Sequence, residues 1–80
     1  MEIPQILRLK EVLAARGISR SSHYVDIKKQ VWTPPVRLGL RAVGWPLYEV
    51  RALIQARVSG KSDIEIQACV QNLLNQRYND

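Results

Sequence analysis

Basic side chains are concentrated in the middle of this 80-residue chain, where they could neutralise phosphate groups. Between residues 20 and 41 five basic residues stand against a single acid, Asp26. The five are Arg20, Lys28, Lys29, Arg37 and Arg41. Such side chains bind the phosphates of nucleic acid, and Arg also hydrogen-bonds the edge of guanine. A solvated basic face without a partner is the alternative interpretation.

Three serines and a histidine surround the first of these basic residues. Ser19 is suited to cap a helix that begins at the next residue. Hydroxyl groups at that helix start could donate to phosphates, helped by the positive end of the helix dipole. The predicted DNA contacts of this turn are Ser19, Arg20, Ser21, Ser22 and His23. Within this group we expect Arg20, Ser21 and His23 to reach base edges. A surface pair between His23 and Asp26 is the alternative for the histidine.

The net charge of the whole chain also favours an anionic partner. Twelve Lys and Arg residues against seven Asp and Glu residues give +5 at pH 7. Residues 1–57 carry a net charge of +6, whereas residues 58–80 carry −1. We therefore expect nucleic acid, in preference to a membrane, to bind the first part of the chain.

The residues that catalysis would need are scarce. The one His and the one Cys, Cys69, are 46 positions apart, and no glycine-rich phosphate loop or metal-ligand spacing is present. We expect no enzymatic activity, no metal, no cofactor and no small-molecule substrate. Cys69 has no partner for an internal disulfide, which favours a reducing compartment. No apolar run approaches the roughly 20 residues of a membrane span, and no signal-peptide pattern is present. These features predict a soluble, unexported protein of the cytoplasm.

A short series of helices must position the basic residues. The length allows one domain. Apolar spacing predicts a first helix over Ile6–Arg16, with the Arg16 side chain in water, ended by Gly17. A second helix follows Ser19, with Tyr24 and Ile27 on its packed side, and ends before the prolines at 34 and 35.

Residues 36–45 alternate between apolar and polar types and predict a β-hairpin that turns at Gly39. Pro46 is expected as the first residue of a third helix, which ends at Ser59–Gly60. Trp32 and Trp45 flank the hairpin, and packing in the core is favoured over stacking on unpaired bases.

A fourth helix begins at a capping box formed by Ser62 and Glu65. Its apolar stripe consists of Ile66, Cys69, Val70, Leu73 and Leu74. This helix either packs on the domain or pairs with a second subunit. We therefore divide the chain into a DNA-binding domain over residues 1–60 and a C-terminal amphipathic helix over residues 61–80.

The order of these elements predicts a mainly α fold, a winged helix-turn-helix with three to four helices and a small β-hairpin wing. Two ordinary antiparallel helices of a small core are the alternative for the first pair. His23 and Asp26 occupy positions where the common helix-turn-helix motif has apolar residues, so the motif is only partly matched.

The sequence resembles the AlpA family of prophage regulatory proteins, without gaps over about residues 6–58. The segments that carry the resemblance are Leu7–Val12, Gly17–Ser22 with Tyr24, Pro35–Gly39, Arg41–Trp45 and Glu49–Val50. Residues 60–66 are also similar to the C-terminal segment of one branch of the family. The departures from the family pattern are Ser22 for Thr, Gln30 for Gly, Thr33 for Pro and Leu53 for Trp.

The resemblance implies a small phage or bacterial regulator, related to MerR-like and excisionase-like winged helices, that binds DNA sequence-specifically. The best-known member of the family activates a prophage integrase gene and promotes excision of the element. Residues 19–24 would then begin the recognition helix and residues 37–41 would form the wing. One alternative is an architectural excisionase that bends attachment-site DNA. A small adaptor that binds an acidic protein is another. One recognition helix distinguishes only weakly between DNA sequences, so we expect a homodimer or cooperative assembly on tandem sites.

Overall fold

The computed structural model describes residues 5–78, which form four helices and one three-stranded antiparallel sheet. The outermost residues of the predicted segments 1–60 and 61–80, namely 1–4 and 79–80, lie outside the described part. The elements are β1 (Ile6–Arg8), α1 (Leu9–Arg16), α2 (Arg20–Lys28), β2 (Val36–Arg37), β3 (Val43–Pro46), α3 (Leu47–Val58) and α4 (Asp63–Tyr78). The sheet order is β1-β3-β2. This is a mainly α winged helix-like fold, as the sequence predicts.

The first helix is shorter than its apolar spacing predicts, because residues 6–8 form β1 instead. Leu7 stands opposite Trp45 in the pairing of β1 with β3. The backbone N–H of Arg8 donates to the Glu11 carboxylate at 2.9 Å, and the helix begins at the next residue. Pairing with a strand nearly forty residues away therefore overrides the local helical pattern.

The turn between α1 and α2 is the predicted one. Gly17 adopts a left-handed backbone with φ of 68°, and its N–H donates to the Leu13 carbonyl at 2.8 Å. Ser19 caps α2, because its hydroxyl oxygen accepts from the Ser22 N–H at 3.1 Å. Beyond α2, Gln30 has a φ of 65°, a conformation that glycine adopts at lower cost. A glycine at position 30 would adopt this conformation without the strain that glutamine bears.

The predicted hairpin is present, and we call residues 36–43 the wing. The β2 strand pairs with β3, and the Leu38 N–H donates to the Ala42 carbonyl at 2.8 Å across the turn. Pro46 is not the first helical residue, which corrects the prediction. It ends β3 with an extended ψ of 136°, and α3 begins at Leu47. Its pairing with Ile6 in the sheet holds it in that conformation.

The two tryptophans lie in one core to which all four helices and the sheet contribute. Trp45 is fully buried and its indole N–H donates to the Thr33 carbonyl at 2.8 Å. Trp32 is 2% exposed. The prediction that both rings supply packing is confirmed, and neither is available to stack on a base. The buried apolar residues are Val12, Val31, Trp32, Trp45, Val50, Leu53, Ala56, Ile66, Val70 and Leu73.

Helix α4 packs against α3 and places three apolar side chains in this core. The predicted capping box is present: the Ser62 N–H donates to the Glu65 carboxylate at 2.9 Å, and the Glu65 N–H donates to the Ser62 hydroxyl at 3.2 Å. Near its other end, Arg77 donates to both carboxylate oxygens of the buried Glu49 at 2.6 Å. No helix in the described residues is long and apolar enough to cross a membrane.

Gly44 offers a direct test of the sheet packing. A Cβ added at this position would lie 2.6 Å from a methyl group of Ile6 and 2.9 Å from the Leu7 carbonyl oxygen. The carbonyl belongs to the paired strand and cannot move aside without breaking the pairing. We expect G44A to lower the free energy of unfolding by about 2 kcal/mol, measured by urea denaturation.

Gly39 is the matched control, because a Cβ there would meet nothing within 4 Å. G39A should change the free energy of unfolding by less than about 0.5 kcal/mol. Equal stability of the two variants would contradict the close approach of β1 to β3.

Candidate nucleic-acid interface

One side of α2 is open to solvent over the whole length of the helix. The exposed side chains recur at helical spacing, and we call them the α2 face: Arg20, Ser21, Tyr24, Val25 and Lys28. Tyr24 is 38% exposed and Val25 is 49% exposed. The Arg20 guanidinium lies 6.0 Å from the centre of the Tyr24 ring. The face thus combines two cations, a hydroxyl group and two side chains with apolar surface.

Two of these residues were missed as candidate contacts from sequence. Apolar spacing predicts Tyr24 on the packed side of the helix together with Ile27, and it predicts no contact for Val25. Helical spacing indicates that Tyr24 is exposed, since positions 20, 24 and 28 share one side of a helix. Once Arg20 and Lys28 are predicted to face a ligand, the residue between them must face it too.

The serines at the start of α2 form a local hydrogen-bonded pair. The Ser19 hydroxyl donates to the Ser22 hydroxyl oxygen at 3.0 Å, in addition to capping the helix. Both serines and Ser21 are exposed. Ser19 is therefore a cap, and contact of these hydroxyl groups with phosphate stays a prediction.

The remaining predicted phosphate contacts lie at the end of α2, directly after it and on the wing, and all of them are exposed. They are Lys28, Lys29, Arg37 and Arg41. Within the described residues, the ion pairs involve other basic side chains, namely Arg16, Arg57 and Arg77. The charges of α2 and the wing are consequently available to an external anion. The described residues contain no cluster of three potential metal ligands.

His23 does not belong to this surface, and the prediction that it reads bases is wrong. The side chain is fully buried on the inner side of α2, with its ring centre 4.8 Å from that of Trp45. It is also not paired with Asp26 on the surface. Position 23 lies on the same side of the helix as Ile27, which packs against the core, so helical geometry turns the imidazole inwards.

Arg16 contacts the inner side of α2, although the sequence predicts that its side chain faces water. One guanidinium nitrogen donates to His23 Nδ1 at 2.8 Å, and another forms an ion pair with Asp26. The guanidinium also stacks on the Trp32 ring at 3.9 Å. Only 10% of the Arg16 side chain is exposed. The last residue of α1 thereby fixes the orientation of α2.

Burial determines the protonation state of His23. Loss of solvation, reinforced by the positive charge of Arg16, lowers the pKa of His23 from 6.5 to about 4, and Asp26 offsets only part of this shift. The imidazole is therefore neutral near pH 7. Because Nδ1 accepts from Arg16, the ring proton is on Nε2.

Comparison with known proteins adds an independent finding. A family model described as prophage CP4-57 regulatory protein (AlpA) matches residues 5–58, the segment that contains β1, α1, α2, the wing and α3. The chain is also 38% identical over 66 residues to uncharacterized protein ORF88 of Enterobacteria phage P4. That alignment covers 76% of this chain and 75% of the phage protein. No solved structure matches the chain.

The buried imidazole predicts a specific acid sensitivity. The unfolded chain takes up a proton at His23 below pH 6.5, whereas the folded chain resists until about pH 4. The contribution of His23 to the free energy of unfolding is therefore complete above pH 6.5 and decreases as the pH falls towards 4. We expect a loss of about 3 kcal/mol from this group, measured by urea denaturation across that range.

H23Q supplies the comparison, because glutamine retains a hydrogen-bonding group but does not titrate. Its free energy of unfolding should depend less on pH between 6.5 and 4 than that of the natural chain, whatever its absolute stability. Parallel pH profiles for the two proteins would show that His23 titrates normally.

Proposed function

Because the chain belongs to the AlpA family of prophage regulatory proteins, we propose that it binds double-stranded DNA sequence-specifically and regulates transcription of prophage or mobile-element genes. The observation that carries the proposal is the exposure, on two consecutive parts of a winged helix-like fold, of basic side chains that form no ion pair within the described residues. Arg20 and Lys28 lie on the exposed α2 face, and Arg37 and Arg41 lie on the wing. Action on integrase or excision genes is the specific role favoured by the family.

The dimensions of α2 suit the major groove. Nine residues give a helix of about 13 Å, which presents its side chains to a groove about 12 Å wide. Arg20 and Ser21, near the start of α2, are assigned to base edges. Val25 offers an apolar contact for a thymine methyl group. For Lys28 and Lys29, at the end of the helix, we propose contacts with phosphates.

The wing supplies the second contact. Arg37 and Arg41 stand at either side of its turn, where they would engage phosphates or the minor groove beside the helix. Binding to chromosomal DNA would place the protein at the bacterial nucleoid. No catalytic step is part of this proposal.

One such domain provides limited specificity. A good bidentate contact contributes about 1 to 3 kcal/mol of discrimination, and α2 offers few candidates for one. We therefore propose that the protein acts as a homodimer or assembles cooperatively on tandem sites. Sedimentation of a strict monomer, both free and on a natural regulatory site, would contradict this part.

The first test is selection of bound duplexes from a random-sequence pool at near-physiological salt. We expect one motif to be enriched, and R20A to lose that enrichment because the guanidinium no longer reaches a base edge. R51A is the control, because Arg51 is an exposed cation on α3, outside α2 and the wing. Loss of enrichment in both variants, or enrichment by neither the natural chain nor R51A, would contradict sequence reading by α2.

The salt dependence of binding tests the phosphate contacts separately. If about five phosphates are neutralised, the slope of log affinity against log salt should be about −4 to −5. R41A should reduce the magnitude of this slope by about 1 and weaken binding to all sequences similarly. A slope near zero would contradict an electrostatic interface. An adaptor function would be favoured if R20A and R41A bound an acidic protein less tightly than the natural chain does, and if the natural chain bound DNA only nonspecifically.

A further inference from the structure

An apolar side chain occupies the tip of the wing. Leu40 is 95% exposed, the highest value among the large hydrophobic residues of the described chain. Turns of this kind are usually built from Gly, Asn, Asp or Ser, whose backbone preferences suit the bend. Neither packing nor turn geometry therefore accounts for a leucine at this position.

The wing holds this side chain in a defined place. Its turn is closed by the hydrogen bond from the Leu38 N–H to the Ala42 carbonyl. The turn leads into β3, which is paired on both sides, by β1 and by β2. Leu40 thus projects from an anchored hairpin and not from a free loop.

The charges beside Leu40 indicate what it would contact. Arg41 follows it directly, Arg37 lies on the β2 side of the turn, and both are exposed. An apolar point between two cations fits a partner with an apolar interior and anionic edges. Duplex DNA has this arrangement, since stacked bases lie between two rows of phosphates.

Resting on the DNA binding proposed above, we propose that the wing enters the minor groove and that Leu40 inserts between two adjacent base pairs. The guanidinium groups of Arg37 and Arg41 hold the phosphates on either side. Apolar wedges of this kind unstack a base step and kink the duplex towards the major groove. The bend would bring more of the duplex against α2 and the wing.

Insertion adds a second source of specificity. Pyrimidine–purine steps are the easiest to unstack, so the wing would select a flexible step at a fixed distance from the bases read by α2. The specificity of the site then includes positions at which no side chain hydrogen-bonds a base. The few polar contacts of the α2 face then need to supply only part of the sequence specificity.

The experiment uses a duplex recovered by the selection described above, with 2-aminopurine placed at successive positions beside the α2 site. Unstacking should raise its fluorescence at one step when the natural chain binds. Energy transfer between dyes at the duplex ends should report a bend of about 20° to 90°. L40A should abolish both signals, whereas L40M, which keeps an apolar wedge, should retain them.

V58A is the matched control, because Val58 is another exposed apolar residue, 74% accessible, at the end of α3. It should leave both signals unchanged. Unfolding midpoints equal to that of the natural chain would show that each variant is folded, as expected for side chains so exposed.

The outcomes separate the two proposals. Binding of the duplex without fluorescence increase or bend, or with signals that L40A retains, overturns insertion of Leu40 and leaves DNA recognition intact. Equal losses in L40A and V58A also overturn it. Failure of the natural chain to bind any duplex overturns the proposed function and this inference with it.

Discussion

The arrangement of the molecule depends on one buried cation, the guanidinium of Arg16. It stands at the end of α1 and engages His23, Asp26 and Trp32, so a single side chain joins α1 to α2 and to the segment that follows α2. A guanidinium largely removed from water in this way requires its partners, because loss of one of them leaves a charge without compensation. The inward position of His23 and the outward position of the α2 face are two consequences of the same contact.

A second buried ion pair fixes the other end of the chain in a similar manner. Glu49, near the start of α3, is fully buried and accepts two hydrogen bonds from Arg77 of α4. Arg77 also donates to the Pro34 carbonyl, just before the wing. The last helix is therefore tied to α3 by charge as well as by apolar packing. Each of the two pairs joins helices through a carboxylate and a guanidinium, which permits fewer packing arrangements than apolar contact alone.

Features with a local chemical cause could be predicted from the sequence. The left-handed turn at Gly17, the cap at Ser19, the capping box at Ser62 and the hairpin around Gly39 are each specified by a few neighbouring residues. The β1 strand could not be predicted in this way, because its three residues are extended only when β3 is beside them. Ile6, Leu9 and Val12 stand at helical spacing, so the local pattern favours a helix, and the long-range pairing with β3 overrides it.

The errors at the candidate interface have a different origin. Arg16 and His23 are polar residue types that are usually exposed, so each was assigned to the surface when considered alone. Arg16 donates to His23 Nδ1 and to the Asp26 carboxylate, so the packed position of each polar group depends on the others. Conversely, the spacing of Tyr24 from Ile27 predicts packing, yet its side chain shares the exposed face of α2 with Arg20 and Lys28. Residue type therefore misleads for Arg16 and His23, whereas apolar spacing misleads for Tyr24.

The β3 strand connects the two parts of the proposed interface. Trp45, at its centre, packs against His23 on the inner side of α2, and Val43, at its start, is the last residue of the wing. Gly44 lies between them and allows β1 to approach closely. One short strand, paired on both edges, thus links the inner side of α2 to the wing. A rigid connection of this kind is what contact with two neighbouring grooves of one duplex requires, since the groove separation is itself fixed by the geometry of DNA.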